Sequence, residues 1–399
     1  MKIVSLVAGT MLVTASLSAA AQEAPGVSKS TIKIGILGSL TGPAAIWGTG
    51  NLSGGVLAFE EANAAGGVNG RKLEWTIEDD ETSAPKAIAA FKKLGDQDGV
   101  FAIFGPAASA ISAAMVPAMR QSEIPMFLSV PSTPAVTEPM VKNVFRTGPL
   151  NDRLQGIAVA DYALTKLRGQ RIAVIRQSDE YGRRGGDSVI DRMKQEKITP
   201  VAEEEFGAAD TDFTSQLLKI RGTNPDVLIV YGYPSPSAII TRQARQLGLS
   251  AKILGSNATS SRKYPEIVGQ SAVGIENVIT LELLPESNDP LAVTFRKKFT
   301  EMHPDLAKQD RPDLGDVLGY GGALTFLEGL KRAGPDLTRA KFIAALETIQ
   351  NFSTGLTMPT SFSATSHEGN KAARIVQIQP DLSRKLLPDV IAAQDNRSQ

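Results

Sequence analysis

Two loop segments carry side chains suited to holding a small anionic group. Gly105-Pro106-Ala107-Ala108-Ser109 follows an apolar run at 100–104 and opens a helical pattern, and Val130-Pro131-Ser132-Thr133-Pro134 follows a run at 126–129. A helix amino terminus offers unpaired N–H groups and partial positive charge, so a carboxylate docks there without arginine or lysine. Ser109 and either Ser132 or Thr133 would add hydroxyl donors. The same hydroxyls also serve as plain helix caps, which is the simpler role for each taken singly. Aromatic side chains stand in comparable places: Trp47 in the loop after the run at 32–37, Tyr181 in S-D-E-Y-G, and Tyr233 in Y-G-Y-P after the run at 227–231. A loop aromatic ahead of Gly or Pro is more often a packing residue. Three of them on one strand edge make an aromatic-walled cleft the better account, since such walls bury apolar ligand surface at about 25 cal/mol per Å².

Covalent and metal chemistry have little to work with. The chain has no Cys and two His. His303 precedes Pro304 at a polar helix end and His367 lies in a Ser/Glu/Gly-rich turn, and neither spacing suits a metal or a Ser–His pair. No G-x-x-x-x-G-K-[ST] occurs, and Gly48-Thr49-Gly50-Asn51-Leu52-Ser53 lacks the third glycine of a dinucleotide fingerprint. The acidic runs Asp79-Asp80-Glu81 and Glu203-Glu204-Glu205 read as solvated surface. The expectation is a protein that is not an enzyme, with no catalytic residue, no metal and no cofactor. Lys and Arg number 42 against 42 Asp and Glu, which lacks the basic excess of a nucleic-acid surface.

The elements that must position these residues alternate along the chain. Apolar strand runs at 32–37, 73–78, 100–104, 126–129, 171–175, 201–206, 227–231, 252–254 and 274–281 are separated by helical patterns near 52–65, 85–94, 110–122, 152–167, 186–196, 213–221 and 237–247. The loop 38–50 is expected to hold Trp47. Alternation of this kind predicts parallel sheets with helices on both faces, and in such sheets ligands sit beyond the carboxyl ends of the strands. A Gly/Pro-containing crossover at 147–151 and a Pro/Asn-rich break at 284–290 suggest two boundaries. Beyond the second the pattern is helical (291–302, 315–332, 339–349) and then extended (354–357, 373–379).

Residues 1–21 read as a secretory signal, with Lys2, an apolar run at 3–17 and the small residues Ala19-Ala20-Ala21. Roughly 375 residues would remain, more than one core usually carries, so two lobes are expected. With no Cys after the cleavage site for a lipid anchor, the expected location is the periplasm.

The stretch from Ile32 to Leu73 contains S-L-T-G-P, an aromatic four residues after Pro43, and A-N-A-A-G-G-V-N-G, in that order. It resembles the start of the periplasmic leucine/isoleucine/valine-binding proteins, type I solute-binding proteins of ABC importers. Further blocks continue the resemblance in order: F-G-P-A-A-S-A-I-S, F-R-T-G-P-L-N-D-R-L-Q-G, R-I-A-V-I-R-Q-S-D-E-Y-G, N-P-D-V-L-I-V-Y-G-Y-P-S-P-S and I-L-G-S-N. The resemblance implies an α/β fold of two doubly wound parallel-sheet lobes joined by a three-strand hinge, with lobes at 28–150 plus 282–372 and 151–281 plus 373–394. The third crossing, near 373, comes from the resemblance alone.

It further implies ligand-binding roles for Trp47, Ser109, Ser132, Thr133, Tyr181 and Tyr233, and a backbone carbonyl at Val130. One position departs from the pattern. Where amino-acid binders place an acid to pair the ligand's ammonium, this chain has Asn257, which would accept a hydrogen bond through its carbonyl oxygen but brings no charge. Asp152 and Glu282, near the crossovers, are the available substitutes. The implied function is a periplasmic substrate-binding protein of the branched-chain amino-acid type, capturing a small hydrophobic carboxylate, an aromatic acid or an amino acid. The expected partners are the small-molecule ligand and an ABC permease, the protein itself being a monomer. The alternative is a sensor of an amide, urea or an amino acid that presents ligand to a membrane receptor.

Overall fold

The computed structural model describes residues 24–392, so the expected signal peptide lies outside the described residues. The first α/β unit runs β1 (Thr31–Gly38), α1 (Ala45–Ala64), β2 (Lys72–Asp79), α2 (Ala84–Lys92), β3 (Ala102–Phe104), α3 (Ser109–Arg120), β4 (Met126–Leu128) and β5 (Val144–Arg146). The second runs α4 (Asp152–Thr165), β6 (Ile172–Gln177), α5 (Glu180–Gln195), β7 (Ala202–Phe206), α6 (Thr214–Gly222), β8 (Val227–Tyr231), α7 (Pro234–Gln246), β9 (Lys252–Gly255), α8 (Lys263–Val268) and β10 (Glu276–Ile279). The chain closes with α9 (Pro290–Met302), α10 (Pro304–Ala307), α11 (Leu314–Ala333), α12 (Arg339–Glu347), β11 (Ala372–Ile378) and β12 (Arg384–Ala392).

Two sheets result. One has the order β2-β1-β3-β4-β5 and is parallel throughout; the other has the order β12-β11-β10-β9-β8-β6-β7. Its first five strands in sequence are parallel, while β11 and β12 join antiparallel at the edge beyond β10. The parallel α/β sheets expected from the sequence thus carry one antiparallel edge, formed by the extended segments that end the chain. β11 and β12 are joined by a tight turn at 379–383, which only antiparallel neighbours allow. α11 packs along α1, so the chain passes between the sheets three times: after β5, after β10 and after α12.

Burial on both faces explains why the strands are apolar nearly throughout. On β6 and β8, Ile172, Val174, Val227 and Ile229 enter one core cluster, while Ala173, Ile175, Leu228 and Val230 enter the other. That is the two-residue period of a strand expressed as two cores. The order 2-1-3 in one sheet and 7-6-8 in the other gives each a point where successive connections diverge, between β1 and β3 and between β6 and β8. A crevice opens there at the carboxyl ends.

Three expected loops are helical. α1 begins at Ala45, so Trp47 lies on its first turn. Gly48 and Gly50 read from sequence as loop residues, but the glycines of α1 are contact points: a Cβ on Gly48 would fall 2.0 Å from Ser39 O, and one on Gly54 2.0 Å from Asp316 O on α11. Backbone approach that close requires glycine whatever the helix propensity. Likewise α5 begins at Glu180 rather than near 186, because Asp179 caps it by accepting from the Gly182 N–H at 2.9 Å. Tyr181 is therefore a first-turn residue. α7 begins at Pro234, which makes Tyr233 its N-cap residue.

Candidate functional site

The strand-end loops of both sheets meet at one cavity lined by Trp47, Ala107, Ser109, Val130, Pro131, Ser132, Pro149, Tyr181, Tyr233, Asn257, Ala258 and Leu318. The structure thus brings together Trp47, Ser109, Val130 and Ser132 from the first sheet's edge with Tyr181, Tyr233 and Asn257 from the second's. Thr133 is not in the lining. Its hydroxyl accepts from the Ala135 N–H at 3.4 Å, capping a short turn, and donates to Glu180 Oε1 at 3.3 Å. Ala107, Pro131, Pro149 and Ala258 were not singled out by sequence but adjoin the named loops. Leu318 comes from α11, where nothing in the sequence marked it.

The loops are held by polar anchors. Asp79 accepts from the Leu40 and Thr41 N–H groups at 2.9 and 3.3 Å, and the buried Asp80 accepts from the Ser39 hydroxyl at 2.5 Å. These acids fasten the turn ahead of α1, contrary to their reading as solvated surface. Arg146, fully buried on β5, forms a bidentate pair with Glu368 and donates to the carbonyls of Pro131 and Pro149 at 3.1 and 2.6 Å. One guanidinium therefore sets two lining segments. Burial pushes the Glu368 carboxyl up, and the adjacent Arg146 opposes it.

Ser109 is the first residue of α3, and no side chain caps that helix. Its hydroxyl accepts from the Ser132 N–H at 3.1 Å and lies 3.4 Å from the Ser132 hydroxyl, tying the loops after β3 and β4 together. This is not the helix-capping role. The first N–H groups of α3 remain directed towards the loop end where Ala107 and Ser109 line the cavity.

The aromatic wall is continuous. Tyr181 and Tyr233 stack with ring centroids 5.5 Å apart and planes 16° from parallel, and Trp47 from the other sheet's edge sits 6.4 Å from Tyr233. The Tyr181 hydroxyl donates to Gln155 Oε1 or Ser256 Oγ, at 3.1 and 2.9 Å, and accepts from the Ala258 N–H at 3.3 Å. Burial pushes its phenol up, so it stays neutral.

Asn257 behaves differently from the sequence expectation. Its side-chain oxygen accepts from both the Thr280 N–H and the Thr280 hydroxyl, each at 3.0 Å. A backbone N–H can only donate, so the amide orientation is determined. The oxygen is used internally, and the group left for the cavity is the NH₂, a donor.

The family model described as periplasmic binding protein matches residues 31–383. A leucine-, isoleucine-, valine-, threonine- and alanine-binding protein of Pseudomonas aeruginosa is 26% identical over 326 residues, covering 80% of this chain and 83% of that protein. Among solved structures, a leucine binding protein from Thermotoga maritima MSB8 superposes with a TM-score of 0.78 at 25% identity, over 90% of this chain and 99% of that one. A solute binding protein from R. palustris, solved in complex with benzoate, superposes with a TM-score of 0.78 at 20% identity, over 91% and 97%.

Proposed function

This chain belongs to the periplasmic binding protein family, and we propose that it is the substrate-binding protein of an ABC importer, capturing a small hydrophobic carboxylate that carries no ammonium. One observation carries this reading: none of the twelve lining residues is charged, so the lining offers no anion to an ammonium. The Asn257 NH₂, the serine hydroxyls and the open turn of α3 suit a carboxylate. Trp47, Tyr181 and Tyr233 suit an aromatic or branched body. An ammonium would enter without an anionic partner in contact with it, at a cost of several kcal/mol. A leucine binding protein and a solute binding protein solved with benzoate share this fold, which supports an architecture open to either class; the choice between them rests here on the lining.

Delivery follows from closure. A ligand that touches loops of both sheets stabilises their approach, and the closed form is what a permease would recognise in the periplasm. The chemistry is capture and release, with no turnover. A thermal-shift screen tests the reading: benzoate and 4-methylpentanoate should raise the melting temperature while leucine and valine leave it unchanged. A shift with leucine or valine, and none with the deaminated acids, would overturn it.

A further inference from the structure

Asp152 opens α4, is fully buried, and neither of its carboxylate oxygens has a hydrogen-bond partner among the described residues. Its backbone N–H donates to Ser132 O at 2.7 Å. The Ser132 hydroxyl is the hydrogen-bonding neighbour that draws the carboxyl down; no closed hydrogen bond joins the two in this arrangement, and a small rotation of either side chain is needed to make one. Asp152 thus stands directly behind a cavity-lining hydroxyl.

The charges around it do not supply a counter-ion. Arg146 on β5 is the cation that acts on it, but its guanidinium is engaged by Glu368 and by the carbonyls of Pro131 and Pro149. From the start of α5, Asp179 and Glu180 face it with negative charge, and from the ring side stand the neutral phenols of Tyr181, Tyr231 and Tyr233. Burial pushes the Asp152 carboxyl well up; Ser132 and Arg146 pull it back, and Glu180 and Asp179 add to the rise. A buried carboxylate without a partner escapes its desolvation cost by taking a proton.

That proton decides what Ser132 can read, because a hydroxyl has a single hydrogen to give. Beside an ionised Asp152, Ser132 turns its hydrogen back and shows lone pairs to the cavity, a surface for an ammonium. Beside a protonated Asp152, it accepts from the acid and turns its own hydrogen to the cavity, a surface for a carboxylate. We propose that Asp152 is a positioning residue that is protonated in the closed protein and makes Ser132 a donor to the ligand's carboxylate, so that capture takes up one proton from solvent at any pH where Asp152 is ionised in the open protein. This rests on the function proposed above and adds to it a coupling of capture to pH.

Calorimetry of benzoate binding (or 4-methylpentanoate, where benzoate does not bind) from pH 6 to 9, in buffers of different ionisation enthalpy, tests the idea. Affinity should fall by about tenfold per pH unit once Asp152 ionises in the open protein, with close to one proton taken up per ligand. Asp152→Asn, always neutral, should give a flat profile and no proton uptake. A purely structural role would change thermal stability but leave the pH slope in place. Carboxylate binding with a flat wild-type profile and no proton uptake overturns this assignment and leaves the function standing. Leucine binding that strengthens with pH and vanishes in Asp152→Asn overturns both, as does failure of both carboxylates to bind. If Asp152→Asn does not fold, the wild-type proton count decides alone.

Discussion

Asn257 shows how much one side chain's orientation decides. Its type, read in the sequence, says only that an acid is missing where amino-acid binders have one. The two hydrogen bonds from Thr280 turn the oxygen away and leave a donor, which converts a neutral gap into a positive preference for an acceptor. Asn257→Asp keeps the acceptor for Thr280 and replaces the NH₂ with an anionic oxygen. Benzoate should then bind more weakly by about 1.5–3 kcal/mol, the range of a hydrogen bond to a charged group, and leucine should gain affinity. Titration calorimetry with both compounds checks this, and unchanged benzoate affinity would remove Asn257 from the contact.

At the scale of elements, the seam between α1 and α11 is built on absent side chains. Gly50 and Gly54 face Gly315, Asp316 and Gly319 at distances no Cβ tolerates. The buried Asp316 carboxylate accepts from the Ser53 hydroxyl at 2.5 Å across the seam. Gly54→Ala should cost about 1–3 kcal/mol through overpacking, and denaturant unfolding should show a lowered midpoint. Gly222→Ala at the end of α6, where a Cβ meets nothing within 4 Å, is the control. It should be neutral or stabilising by about 0.4–1 kcal/mol. Equal losses at both sites would mean that the glycines of α1 are not there for approach. Since Trp47 stands on the first turn of α1, this seam also sets one wall of the cavity.

At the scale of the molecule, a second contact joins the two halves away from the cavity. Asp313, the N-cap of α11, accepts from the Ser261 hydroxyl at 2.5 Å and the Arg262 N–H at 3.0 Å, both just after β9, and from Arg384 on β12 at 3.0 Å. Arg384 is paired with Glu286 as well, so it keeps a partner if Asp313 is lost. Asp313→Ala should weaken ligand binding by roughly 1–2 kcal/mol, because closure recovers fewer hydrogen bonds. Small-angle scattering should show a larger ligand-free radius of gyration than wild type. A variant with wild-type affinity and an unchanged scattering curve would show that these contacts do not bias closure.

The sequence by itself determined the alternation of strand and helix and hence which loops share an edge, because a parallel βα repeat sends every strand's carboxyl end the same way. That is why the loops bearing Trp47, Ser109, Ser132, Tyr181 and Tyr233 could be grouped before any coordinates, while Val130 and Asn257 were added by the family resemblance. It did not determine where α1 starts, since glycine reads as a loop until the backbone that crowds it is known, nor that α5 and α7 start at Glu180 and Pro234, ahead of the patterns read for them. It could not separate Thr133, spent on a cap and on Glu180, from Ser132, one residue earlier and in the lining. Nor could it find Leu318, or tell that Asp79 and Asp80 anchor a loop while Asp152 stands buried without a partner. Those distinctions depend on what each group faces across the fold, and hydrogen bonding, burial and charge are properties of that pairing rather than of the residue.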